Sequence, residues 1–273
     1  MRQKKMAIII PTRNKNHHIV KDCIQSLKQT DYNNYKIFLI EDVNGEGFSK
    51  SVNKGMMKAT STYQPDYYLL LNDDTLVYQK DWLKIMIREA ENLPRGGIFG
   101  CQLIYPDLSL QWLACNNNIV FFKEHGTFSR FDYYYDDDIE VIQIVPEVIG
   151  AFFLIKKEVV RNIFYFDDDF SPFYGEESDY CFRARKAGWD CVYVGTVKFI
   201  HLRDQSISKI NPEYRWFIQK KNSIRLERKH YNLAKQCKYG MIHFGSVFKN
   251  DGVKMKFPLL LKAYQKEFER WWR

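Results

Sequence analysis

The chain has 273 residues, 45% of them hydrophobic and 27% charged, with a formal net charge of +8. That balance excludes a disordered chain and fits one large α/β domain, alone or with an appendage. The charge points to an anionic partner such as a nucleotide diphosphate or a lipid headgroup, and nucleic acid ranks last because no nucleic-acid motif accompanies it. The 18 tyrosines and 20 phenylalanines suit a large core before they suit sugar stacking. Cys23, Cys101, Cys115, Cys181, Cys191 and Cys237 form no C-x-x-C pair, which predicts reduced thiols of a cytosolic protein. The apolar run Met6–Ile10 is too short for a secretory segment, and no stretch approaches the roughly 20 apolar residues of a membrane span. A protein of this kind works in the cytoplasm, either free or peripherally on the inner face of a membrane.

In chain order, Met6–Ile10 reads as a strand buried on both faces, followed by a helix over 17–29 carrying Val20, Cys23, Ile24 and Leu27. Ile37–Ile40 is a second strand, Ser49–Ala59 a second helix, Tyr67–Leu71 a third strand and Trp82–Ala90 a third helix. Such alternation predicts a mostly parallel, doubly wound α/β sheet, which binds ligands at the carboxyl ends of its strands. Three strand ends are therefore informative: Pro11-Thr12-Arg13-Asn14, Glu41-Asp42 and Asn72-Asp73-Asp74. Regularity loosens over 100–147, with turns at Pro106-Asp107, Asn116–Asn118 and Asp136–Asp138. Val148–Ile155 reads as a strand, and Glu177–Ala187 as a helix ended by Gly188. Cys191–Val194 and Val197–Ile200 read as two short strands, and the pattern after Asp204 is helical and basic.

Asp73 and Asp74 close an apolar strand, where neighbouring side chains point to opposite faces. One carboxylate can meet ribose hydroxyls while the other holds Mg²⁺ or Mn²⁺, hard cations that prefer oxygen ligands. Asn-Asp-Asp is also ordinary turn chemistry. The second cluster, Tyr174-Gly175-Glu176-Glu177-Ser178-Asp179, sets three acids at a helix start, where capping accounts for one or two of them.

Taken in order, the Pro-Thr-Arg-Asn end, the Glu-Asp end, Gly47–Gly55, LLNDDT and then Tyr-Gly-Glu-Glu-Ser-Asp-Tyr-Cys-Phe-Arg with Lys186-Ala187-Gly188-Trp189 resemble inverting family 2 glycosyltransferases, and residues 212–232, with Tyr214, Arg215, Trp216 and Arg225, resemble the segment after the catalytic domain in the rhamnosyltransferase-like branch. The resemblance covers about residues 6–206 and implies a GT-A fold. It implies a nucleotide-sugar half over 1–100, an acceptor and catalytic half over 101–206, and a basic amphipathic helical tail over 207–273. Donor contacts would come from Pro11, Thr12, Arg13, Asn14, Glu41, Asp42, Asn53 and Asp73, with Asp42 on the base. Here the second strand ends Glu41-Asp42-Val43-Asn44-Gly45, a shortened loop relative to the family's usual Asp-Asn-Gly-Ser or Asp-Asp-Gly-Ser. Asp74 and His201 would hold the metal, and Glu177 would be the general base, with Glu176 and Asp179 orienting the acceptor and anchoring the helix. Gly150, Ala151, Tyr174 and Trp189 would line the acceptor side, Gly150 as a small residue admitting the sugar. Arg203 and Ser206 would line a loop nearby.

The implied reaction moves a hexose or deoxyhexose from a UDP-sugar or dTDP-rhamnose to a hydroxyl of a glycan or lipid-linked saccharide. Two other readings stand beside it. A nucleotidyltransferase would need a glycine-rich first loop, which Pro11–Asn16 lacks, and a non-catalytic carbohydrate-binding relative would have lost its carboxylates. The final stretch of the tail, Lys256–Leu261 through Trp271-Trp272-Arg273, can lie in a membrane interface, dock on the domain or pair two copies. The acids Glu267 and Glu269 favour docking or dimerisation.

Overall fold

The computed structural model describes residues 2–115, 118–121, 141–202, 210–248, 253 and 255–269. Of the expected features, Asn116-Asn117, Asp136–Asp138, Arg203, Ser206 and Trp271-Trp272 lie outside those residues. The first half contains β1 (Met6–Thr12), α1 (His18–Leu27), β2 (Tyr35–Glu41), α2 (Phe48–Thr62), β3 (Tyr67–Leu71), β4 (Thr75–Val77), α3 (Trp82–Asn92) and β5 (Gly96–Ile104). The second half contains β6 (Leu110–Cys115), β7 (Asn118–Phe121), β8 (Ile142–Val145), β9 (Phe152–Lys156), α4 (Lys157–Ile163), α5 (Glu176–Lys186) and β10 (Asp190–His201). Three helices follow: α6 (Pro212–His230), α7 (Leu233–Ser246) and α8 (Lys256–Glu269).

β1 pairs in parallel with β2 on one side and β3 on the other. The chain thus leaves β1 in one direction and returns past it in the other, which opens a crevice at the carboxyl ends of β1 and β3. The main path runs β2-β1-β3-β9-β5-β10-β4. Strands β1, β2, β3, β5 and β10 share one direction, while β9 and β4 run against it. The sheet is mostly parallel, as its unbroken apolar runs suggest: β3, β5 and β9 are buried along their whole length.

Three local differences from the sequence reading matter for the site. The strand expected over Val148–Ile155 begins only at Phe152, so Val148–Ala151 forms a turn facing the crevice. The two strands expected over 191–200 are one strand, β10, whose register against β5 shifts between Val194 and Lys198. The three-residue β4 has too little pattern to read, yet it pairs antiparallel with β10 and sets His201 opposite Thr75. That register carries the end of β10 to the carboxylate pair.

In the tail, Asn211 caps α6 by accepting from the backbone N–H groups of Glu213 and Tyr214, with Pro212 in the first turn. α8 packs on α6 through a separate small core of Trp216, Ile224, Leu260 and Ala263. Cys23, Cys101, Cys181 and Cys191 are buried free thiols, and Cys237 is exposed.

Candidate active site

A cleft of about 650 Å³ opens over the carboxyl ends of β1 and β3. Its donor-side wall includes Pro11, Thr12, Arg13, Asp42, Asn72, Asp73, Asp74 and His201. The opposite wall includes Glu147, Ala151, Tyr174, Glu176 and Glu177, with Asn222 and Ser223 from α6. The two acidic motifs, about a hundred positions apart in sequence, therefore face one cavity.

On the donor side, Asp73 is held above the usual carboxylate range. Burial is the main cause, opposed by a hydrogen bond from the Thr12 hydroxyl and reinforced by the charge of Asp74. His201 Nε2 lies 3.2 Å from Asp74 Oδ1. The other ring nitrogen, Nδ1, is 2.6 Å from Gln111 Oε1, while Gln111 Nε2 donates to the His201 carbonyl at 2.9 Å. Gln111 thus offers the ring only an acceptor, which fixes the proton on Nδ1 and leaves the Nε2 lone pair facing Asp74. Asn72 Nδ2 lies 3.4 Å from the same Nε2, and the gap between Nε2 and Asp74 Oδ1 is one that a cation could bridge.

Among the described residues, no group of three or more His, Cys, Asp and Glu side chains forms a metal cluster. Asp74 and His201 could hold a small hard cation whose remaining positions are filled by other oxygen ligands, as such cations commonly are. The donor set fits Mg²⁺ or Mn²⁺.

Asp42 accepts from the backbone N–H groups of Glu46 at 2.8 Å and Gly47 at 2.9 Å, which ties down the loop leading to α2. Its carboxylate still lines the cleft, and each oxygen keeps a lone pair for a further donor. Gly47 has φ +98°, and a Cβ there would come within 2.5 Å of the Pro172 backbone. Phe48 N–H donates to the Pro172 carbonyl at 2.9 Å, so this loop joins the two walls.

On the acceptor side, Glu177 is pushed up to about 7. Burial is the main cause, the negative charge of Glu147 adds to it, and the N–H groups of Glu177 and Gly150 oppose it. Glu176, more deeply buried and beside the charge of Glu177, is raised well above its ordinary range. Its Oε2 has no hydrogen-bond partner. Glu147 is raised by burial too, against a hydrogen bond from Ser178 and the Arg185 charge. A Cβ on Gly150 would lie 2.0 Å from Glu177 Oε1. The space that the sequence reading gave to an approaching sugar is occupied by the Glu177 carboxylate, and the glycine serves that carboxylate.

Besides Gly150, five expected site residues do not line the cleft. Asn14 closes a turn by accepting from Asn16 N–H, and Glu41 is bound to the Lys15 backbone and ammonium, each at 3.1 Å. Asn53 bonds Phe166 N, Phe166 O and Asp168 beneath α2, and Ser51 of the same helix faces the cleft instead. Asp179 is fully buried, taking Lys229 Nζ at 2.6 Å, His230 Nε2 at 2.8 Å and Arg183 Nε at 2.8 Å. Its burial alone would raise it, but His230, Lys229 and Arg183 together hold it well below the ordinary range. It anchors α5 rather than meeting the acceptor. Trp189 precedes β10 and donates to Asn162 Oδ1 at 3.1 Å, whereas His201 ends that strand. Twelve residues of strand separate them by roughly 35 Å, so Trp189 lies at the opposite end of β10 from the cleft.

The residues missed from sequence are Gln111, Glu147 and Asn222. Asn222 Nδ2 donates to the carbonyls of Phe170 at 2.6 Å, Phe173 at 2.8 Å and Tyr174 at 2.8 Å. One buried amide from α6 thereby fixes the segment that enters Glu176-Glu177. None of the three carries a local motif that marks it, since each acts across a long sequence separation.

Residues 8–223 match the family model described as "Glycosyltransferase like family 2". The chain belongs to this family and has the fold of the GT-A glycosyltransferases. Its solved neighbours include the mannosyltransferase PcManGT from Pyrobaculum calidifontis in complex with GDP-Man and Mn²⁺, at TM-score 0.56 and 12% identity, covering 97% of this chain and 70% of that one. GalNAc-T7 with UDP, GalNAc and Mn²⁺ superposes at TM-score 0.57 and 11% identity over 83% of this chain and 48% of its own. S. aureus TarS does so at 0.58 and 11% over 95% and 48%. This chain thus spans about half the length of the last two. No curated protein sequence matches the chain. At these identities the neighbours establish the fold alone.

Proposed function

We propose that this glycosyltransferase is a metal-dependent, inverting hexosyltransferase that takes its sugar from a nucleotide diphosphate. The observation that carries the reading is the shared cleft: Asp73, Asp74 and His201 on one wall, Glu177 on the other. The donor's base and ribose would lie against Pro11, Thr12, Arg13, Asp42 and Asp73. A divalent cation at Asp74 and His201, when bound, would supply Lewis-acid neutralisation of the departing diphosphate. The neighbours solved with Mn²⁺ are consistent with that choice.

Glu177, with its affinity for a proton near neutrality, suits a general base. Its carboxylate takes the proton of the acceptor hydroxyl as that oxygen bonds to the anomeric carbon. The bond from that carbon to the diphosphate oxygen breaks at the same time, and the configuration inverts. Tyr174 and Ala151 would border the acceptor, which we take to be a hydroxyl of a glycan or lipid-linked saccharide. The family resemblance favours a dTDP-rhamnose or UDP-sugar donor.

The test pairs two variants, assayed with Mn²⁺ or Mg²⁺ and a panel of nucleotide sugars. Asp74→Ala is expected to lose metal-dependent donor binding. Glu177→Gln is expected to bind donor as wild type does, yet transfer at least about a hundredfold more slowly. Transfer by Glu177→Gln at the wild-type rate would remove Glu177 from the role of base.

A further inference from the structure

We infer that the outer face of α7 and α8 is a docking surface for an anionic lipid bilayer. No residue of α7 or α8 lines the cleft, and the inference does not depend on the transferase reading.

The first observation is charge. Residues 231–273 hold nine lysines and arginines against three acids, a net +6 out of +8 for the whole chain. The basicity is therefore almost wholly a property of the tail. Lys235 and Lys238 on α7, and Lys262 and Lys266 on α8, are exposed.

The second observation is apolar. Phe244, Phe248 and Phe257 are 52%, 75% and 48% exposed, and Phe244 on α7 meets both Phe248, just past the end of that helix, and Phe257 on α8. Their ring centroids are 5.5 Å apart for Phe244 and Phe248 and 6.4 Å apart for Phe244 and Phe257. Met241, Ile242 and Leu261, also exposed, lie on the same pair of helices. The inward side of α8 is already occupied, because Leu260 and Ala263 pack on Trp216 and Ile224 of α6. An amphipathic pair with phenylalanines outward and lysines around them has the composition of a helix lying in a headgroup layer.

Charge also selects the occupant. In a two-fold dimer the same patch meets itself, so the exposed Lys235, Lys238, Lys262 and Lys266 would face their own copies. A bilayer with anionic headgroups reverses that repulsion and takes rings into its acyl boundary without needing a shaped pocket. Among the described residues no helix is long and apolar enough to cross the membrane, so the contact is interfacial.

The experiment is co-sedimentation of the full chain with vesicles of phosphatidylcholine alone, or with about one third phosphatidylglycerol. The chain is expected to pellet with the anionic vesicles and to remain mostly in solution with the neutral ones. The triple variant Phe244→Ser, Phe248→Ser, Phe257→Ser should lose about tenfold in the anionic binding constant while melting at the wild-type temperature. Phe248→Ser alone should show a smaller loss in the same direction. Failure of wild type to bind the anionic vesicles would overturn the inference, as would undiminished binding by the folded triple variant. Light scattering that shows a dimer dissolved by these substitutions, without any vesicle binding, would assign the face to a second copy instead.

Discussion

The two acidic walls of the cleft are built by different means. Asp73 and Asp74 stand at the end of β3, where strand register and the antiparallel β4–β10 pair place them beside His201. Glu176 and Glu177 stand at the start of α5, and what places them comes from elsewhere: Asn222, Lys229 and His230 on α6, and Gly150 in the turn before β9. One wall is positioned by backbone pairing, the other by buried side-chain contacts. The second should be the easier to disable at a distance.

The largest effect is expected where the second wall has no spare room. Gly150→Ala would press a methyl into Glu177 Oε1, so the carboxylate must turn aside. Displacing a base by about an ångström costs on the order of a hundredfold in rate. Donor binding, measured calorimetrically with metal present, should stay near wild type. A loss of donor binding as large as the loss of rate would show the two walls to be less separate than described.

Asn222→Ala comes next. It leaves three buried carbonyls without their shared donor and is expected to cost about 2–3 kcal/mol in a denaturant melt. Transfer should fall more than donor affinity, because the loosened segment carries Glu177 and not Asp74. Equal losses in both would break the comparison.

The smallest effect is a shift in pH. A raised carboxyl pKa means that the native state holds its proton longer than the unfolded chain does. The stability that protonated Glu177 contributes is therefore complete below its ordinary range and is lost as pH rises through about 7. Activity runs the other way, since the base must be ionised, and the rate should climb through about pH 7. Glu147→Gln removes one of the causes that raise Glu177, so that climb should begin at lower pH, with less than about a threefold change on the plateau. A profile that moves to higher pH would contradict the assigned coupling.

The same contrast decides what the sequence could reveal. β3 is observed over Tyr67–Leu71 as its apolar run predicts, and α5 begins within one residue of expectation because Gly175 and three acids mark its start. Pro11, Thr12, Arg13, Asp42, Asp73 and Asp74 were legible as cleft residues for the same reason, since strands announce their own ends, although Asn14 and Glu41 at those ends bond elsewhere. Gln111, Glu147 and Asn222 were not, because their work depends on which distant carbonyl, charge or ring they meet after folding. Trp189 shows the opposite error. It follows the acidic motif closely in sequence, but a helix and a turn carry it to the far end of the strands before β10 begins.

The place of β9 has a consequence for how the chain can be made. β3 is buried along its length, with β1 on one side and β9 on the other. β9 comes from the second half of the sequence, so a nascent chain that has emerged only as far as β5 presents Tyr67–Leu71 as an open apolar edge. Such an edge invites pairing with a neighbouring strand. A fragment of residues 1–100 should accordingly aggregate when expressed alone, because β3 gains its second neighbour only once Phe152–Lys156 has left the ribosome.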